Sequence, residues 1–170
     1  MIVTIVIMIL CVVLDQVTKI AAVEKLAPIG TFPLIQDIFH FTYVENRGAA
    51  FGMLADHRWV FMILSTLAIA AMLVWLFIEK PKSWWIRIST AFVIAGGIGN
   101  MIDRIGRGYV VDFIDCRFID FYVFNVADSF VCVGCGMFLV AALYAEIMDY
   151  RKKKAQAAEA AESGDGGSDE

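Results

Sequence analysis

Asp112, in Val110-Val111-Asp112-Phe113, and Asp128, in Phe124-Asn125-Val126-Ala127-Asp128-Ser129, are acids in a chain otherwise suited to lipid. An ionisable side chain at membrane depth is costly and is read as functional. Two carboxylates close enough to share a proton have their ionisations driven apart, so that one acts as base while the other acts as acid. Peptide-bond hydrolysis of the aspartic type uses that division of labour. Further polar residues accompany the pair. Asn125 stands where a helix N-cap belongs, which would place Asp128 at the third helical position, where the helix dipole favours negative charge. Capping explains one of these residues and leaves Asp112 unexplained. Asn100, Asp103 and Arg104 fall at i, i+3 and i+4, on one helical face. For Asp103, pairing with Arg104 or another basic group stands beside substrate contact as a reading. Asp15 and Lys19 have the i, i+4 spacing with the acid first, the favourable order for an ion pair.

These residues need elements to position them, and the composition names the class. At 60% hydrophobic, 19% charged and a mean hydropathy of +0.72, the chain is too apolar for a soluble domain of 170 residues. It reads as an all-α integral membrane protein, and nucleic acid is excluded as a partner. The net charge of -4 is partly local, since Glu159, Glu162, Asp165, Asp169 and Glu170 crowd the C-terminus. Four stretches reach the roughly 20 apolar residues that a crossing requires: about 2–23, 59–78, 84–102 and 126–148. The first lacks a basic leader and a small-x-small cleavage site, so it reads as a retained helix rather than a removed signal peptide. Lys80 and Lys82 between spans two and three with Arg87 at the start of span three, and Arg151 to Lys154 after span four, mark the cytoplasmic sides. Both termini then face the cytoplasm, and the connections 24–58 and 103–125 face outward. Asp112 and Asp128 are thereby brought to one level at the outer face. Counting about 1.5 Å per residue, Asp15 lies roughly 21 Å up the first helix, where it could support the same site.

The outer segments carry signals of their own. Phe39, Phe41 and Tyr43 alternate with His40, Thr42 and Val44, the period of a half-buried strand, which predicts a small extracytoplasmic sheet segment within about 28–58. Asn46-Arg47-Gly48-Ala49-Ala50-Phe51-Gly52 reads as a turn, or beside a proteolytic site as a place where Asn46 bonds substrate backbone and small residues permit close approach. Gly96-Gly97-Ile98-Gly99 reads as a helix-packing surface. The four cysteines give no disulfide framework, and Cys132-Val133-Gly134-Cys135 lacks the second ligand pair of a metal site. Those two are expected to be small buried packing residues. Residues 155–170 turn to Ala, Glu, Gly, Ser and Asp and predict a disordered acidic cytoplasmic tail.

In order along the chain, Asp15-Gln16-Val17-Thr18-Lys19, Asn46-Arg47-Gly48-Ala49-Ala50-Phe51, Gly99-Asn100-Met101-Ile102-Asp103-Arg104, Val110-Val111-Asp112-Phe113 and Phe124-Asn125-Val126-Ala127-Asp128-Ser129 resemble the blocks of bacterial lipoprotein signal peptidase, or signal peptidase II. Each block alone is weak, and five in order over residues 10–148 are specific. The resemblance implies an aspartic endopeptidase of the bacterial cytoplasmic (inner) membrane. Its substrates would be prolipoproteins, cut on the N-terminal side of a diacylglyceryl-modified cysteine. It implies Asp112 and Asp128 as the catalytic pair and Asn46, Asn100, Arg104 and Asn125 as polar residues lining the site. Gly48, Phe51, Asp103, Asp15 and Lys19 are expected to contact substrate or support the site. The acidic tail has no counterpart in the family pattern. The expected chain acts as a monomer in membrane lipid, without cofactor or metal. Asp15, Asp103, Asp112 and Asp128 could suggest a Mg²⁺ site, but at least two have basic groups close in sequence. The alternative class is a proton-coupled transporter relaying protons through the acids, against which stand the absence of internal repeats and a site away from the midplane.

Overall fold

The computed structural model of the chain describes residues 1–48, 58–119 and 121–165. Helix α1 (Ile2–Ala21) continues into a π-helical turn, Ala22–Leu26, and stops ahead of Pro28. Its buried residues Thr4, Met8, Cys11, Asp15 and Lys19 follow one another at intervals of three or four, so they form one stripe, while Val3, Val6, Leu10 and Val17 face outward. A hairpin of β1 (Thr31–Ile35) and β2 (Phe39–Asn46) follows. Helix α2 spans Arg58–Glu79 and helix α3 spans Trp84–Gly106. The Ser83 side chain caps α3 by accepting from the Ile86 backbone N–H. Strand β3 (Val110–Cys116), a short 3₁₀ turn (Arg117–Ile119) and helix α4 (Val126–Asp165) complete the chain.

All four helices are long and apolar enough to cross a membrane. The three strands form one antiparallel sheet in the order β1-β2-β3. At its inner end Val44 pairs with Asp112 and Asn46 with Val110, so the register carries Asn46 beside the acid. The β1-β2 turn places Asp37 at φ 59, a left-handed conformation that aspartate tolerates.

Helix α3 is the hub, and its glycine run shows why. A Cβ at Gly96 would strike the Ala127 carbonyl of α4, one at Gly97 would press on Ile69 of α2, and one at Gly99 would strike the Asp15 carboxylate of α1. Three neighbours thus approach one helix through three small residues, which bears out the packing reading. The principal apolar core lies below them, with Leu76, Ala91, Ile94 and Ala95 buried against Met8 and Cys11. A second cluster joins Ala22 and Leu26 to Val111 and Phe113 of the sheet.

Three expectations change. The sheet reaches beyond the expected 28–58, since the connection after α3 holds the strand β3, which carries Asp112. Helix α4 runs on to Asp165 where residues from 155 were expected to be disordered; Ala, Lys and Glu are good helix formers, and Lys153 pairs with Asp149 one turn back at 2.7 Å. Cys132 and Cys135 are exposed on α4 instead of buried, because the packing face of that helix is carried by Ala127, Val131 and Gly134.

Candidate active site

Asn125 organises the site. Its side-chain oxygen accepts from the Asp128 backbone N–H at 2.9 Å, the N-cap contact predicted from its position. Its backbone N–H in turn donates to Asp128 Oδ2 at 3.2 Å, closing a reciprocal cap at the start of α4. With the oxygen so engaged, Nδ2 points the other way and donates to Asp112 Oδ1 at 2.6 Å and to Asn100 Oδ1 at 3.1 Å. One fully buried side chain therefore ties both aspartates into a single unit.

Two more amides complete the cradle. Asn46 accepts the Gly48 N–H on its Oδ1 at 3.1 Å, which turns its Nδ2 toward Asp112 Oδ2 at 2.8 Å. Asn100 accepts Lys19 Nζ on its Oδ1 at 2.8 Å, and its Nδ2 donates to Asp128 Oδ1 at 2.7 Å. Each carboxylate receives two N–H donors, leaving lone pairs for water or a shared proton. Asp112 is 2% exposed, whereas Asp128 is half-buried at the cavity wall. Burial pushes the Asp112 carboxyl up to about 6; the Asn46 donor works against this, and the nearby Asp128 charge adds to it.

A polar layer lies behind the pair. Lys19, fully buried, sits 3.0 Å from Asp15 and 3.1 Å from Asp103, so the predicted α1 ion pair forms and gains a second acid. Asp15 also accepts the Ala127 N–H at 2.9 Å, and Asp103 accepts the Val111 N–H at 3.1 Å. Of the two readings for Asp103 the geometry selects pairing, although with Lys19 and, at 3.5 Å, Arg107 rather than with Arg104. A buried ammonium with two carboxylates and an amide oxygen is satisfied, and it locks α1 and α3 to β3 and the start of α4.

The aspartates open on a cavity of 1070 Å³. Asn46, Gly48, Asn100 and Arg104 line its polar end. Arg104 stands in the field of Asp128, Asp112 and Asp103 and donates to the Asn100 carbonyl at 3.4 Å. The opposite wall, Phe121 to Phe124 with Val131, Cys132 and Val133, is mainly apolar. Phe51 falls outside the described residues. Of the other residues singled out from the sequence, Asp15, Lys19, Asp103 and the fully buried Asn125 sit behind the cavity wall, and Asn46, Gly48, Asn100, Arg104, Asp112 and Asp128 line it. Sequence reading missed Glu45, Arg47 and the 121–124 wall; the aromatic run Phe118 to Phe124 was the available signal for the last.

The comparisons with known proteins bear on the family and the fold. A family model described as Signal peptidase (SPase) II matches residues 7–144. A lipoprotein signal peptidase of Caldanaerobacter subterraneus is 49% identical over 130 residues, covering 76% of this chain and 88% of the relative. One from Clostridioides difficile is 44% identical over 142 residues, covering 84% and 95%. A solved bacterial membrane enzyme superposes with a TM-score of 0.77 at 32% identity, covering 84% of this chain and 88% of its own. The transporter alternative finds no support in these matches. Four membrane helices, a small sheet that carries one acid to another, and a family match over most of the length lead to one statement: the chain belongs to the signal peptidase II family of membrane proteases.

Proposed function

We propose that the chain is an aspartic endopeptidase that removes signal peptides from prolipoproteins, cutting on the N-terminal side of a diacylglyceryl-modified cysteine. The observation that carries the reading is the Asn125 bridge, which holds a buried acid, Asp112, against a half-exposed one, Asp128, at the wall of a cavity polar at one end and apolar along one side. Water between the two carboxyls gives up a proton to the ionised member as it attacks the scissile carbonyl. The protonated member donates to the developing oxyanion. Burial makes Asp112 the member that favours the protonated form, and Arg104 lies beside the pair at the polar end of the cavity. The apolar wall suits a lipid-modified residue beside the scissile bond. Asp15 and Asp103 are committed to Lys19, so a hard cation would find at most two carboxylates here, each already holding N–H donors. Lys and Arg placement supports a site at the outer face of the bacterial cytoplasmic membrane, with both termini inside; the chain is expected to act as a monomer.

Purified full-length protein in detergent micelles with a synthetic diacylglyceryl prolipoprotein tests this. The expected result is one cut immediately before the modified cysteine, unaffected by EDTA. Cleavage elsewhere, indifference to the lipid, or loss on chelation with recovery on adding a divalent metal would overturn it.

A further inference from the structure

A second cavity, of 420 Å³, lies between the top of α1 and the sheet. Its walls include Ala21, Leu26, Phe32, Phe41 and Phe113, and Lys25 stands exposed at its edge. Strand β3 separates it from the catalytic cavity. Successive residues of a strand point to opposite faces, so Asp112 lines the catalytic cavity and Phe113 lines this groove. Lys25 forms no ion pair among the described residues, and its neighbour Glu24 does not line the groove.

We infer that the groove binds one anionic phospholipid, an acyl chain lying against Phe41 and Phe113 and the phosphate on Lys25. Height supports the assignment. At about 1.5 Å per residue from Met1, Thr18 at the lower end of the groove stands about 26 Å up α1 and Lys25 about 36 Å. A hydrocarbon core of about 30 Å then ends between them, with the aromatic floor at acyl depth and the cation in the headgroup layer. The π-helical turn at Ala22–Leu26 contributes three groove residues, Ala22, Lys25 and Leu26, and sits between the span and the sheet. The unpaired ammonium supplies the charge selection, and the leaflet alone rests on the orientation proposed above. Protease chemistry plays no part in the assignment.

The test uses full-length protein exchanged into phosphatidylcholine nanodiscs containing a minority of phosphatidylglycerol, with retained lipid read by native mass spectrometry. The expected result is one retained phosphatidylglycerol, preferred about fivefold over phosphatidylcholine, which is the scale of one lysine on an anionic headgroup. Lys25→Gln, a surface change, should erase the preference, and Ala21→Trp, filling the groove from an exposed position, should remove the retained lipid. Prolipoprotein cleavage, measured in parallel, reports separately on the proposed function. Equal retention of both lipids, retention unchanged by either variant, or full displacement by glycerol phosphate lacking acyl chains would overturn the inference.

Discussion

Each of the three amides at the site has its orientation set by a fixed partner: Gly48 for Asn46, Lys19 for Asn100, the Asp128 N–H for Asn125. The carboxylates therefore meet donors already turned toward them, the preorganisation on which electrostatic catalysis depends. Asp112→Asn and Asp128→Asn should each cut prolipoprotein cleavage by at least about a thousandfold while the protein stays folded in detergent, since each removes half of one proton-transfer unit. Near-normal turnover in either variant would remove the pair from the mechanism. The position of Asp112 near 6 gives the pH dependence its sign. Below about 6 the shared proton is present, and above it cleavage should fall about tenfold per pH unit, with a second limb at acid pH from loss of the remaining charge. Stability follows the same group. A carboxyl raised from 3.8 to about 6 in the folded state binds more protons folded than unfolded between those values, so wild-type stability should fall from pH 4 to pH 6 by about 2 kcal/mol. Asp112→Asn should lack that slope in thermal unfolding across the same range.

Among the elements, α3 tolerates little at its glycines. Gly96→Ala should cost about 1–3 kcal/mol, because the new methyl group meets backbone of α4 that no rotamer change can move. Gly136→Ala, where a Cβ would meet nothing within 4 Å, should be neutral or slightly stabilising from helix propensity. Melting of the two purified variants in one detergent checks the contrast. The spans were legible because lipid demands long apolar runs, and β2 because Phe39, Phe41 and Tyr43 alternate with less apolar neighbours. Strand β3 was not, since Val110-Val111-Asp112-Phe113-Ile114-Asp115-Cys116 is apolar on both faces apart from its two acids and shows no clean alternation. Helix α4 beyond 154 was read by composition as disorder, although its alanines favour a helix. The aspartates, asparagines and Arg104 stood out by type and spacing, and their roles at a site came from the family resemblance. The direction of each amide, and the commitment of Asp103 to Lys19, depend on contacts between elements that no single segment encodes.

For the whole molecule, the proposed orientation predicts a labelling pattern. In intact cells, with Cys116 replaced, a cysteine at Lys82 between α2 and α3 should resist a membrane-impermeant thiol reagent, while one at Gln36 in the β1-β2 turn should react. The reverse pattern would move the active site to the cytoplasm. The buried Lys19 cluster has a further mechanical meaning. By joining Asp15, Asp103, Asn100 and, through Asp15, the first turn of α4, it pins α1, α3 and α4 at one height, so none of the three can slide along the membrane normal without breaking buried charge pairs. Helix α2 holds no part of that clamp; it leans on α3 at Gly97, sends Leu76 into the core against Met8 and Cys11 and Trp75 to Phe138 of α4, and makes one long Thr66 Oγ1–Met101 Sδ contact at 3.9 Å. When the bilayer thins or thickens, the pinned trio keeps its own dimensions and the lipid around it must stretch or compress, while α2, which breaks no buried charge pair when it moves, is the helix that can tilt to take up the mismatch. Acyl chain length should then alter the tilt of α2 well before it alters the spacing of the two aspartates.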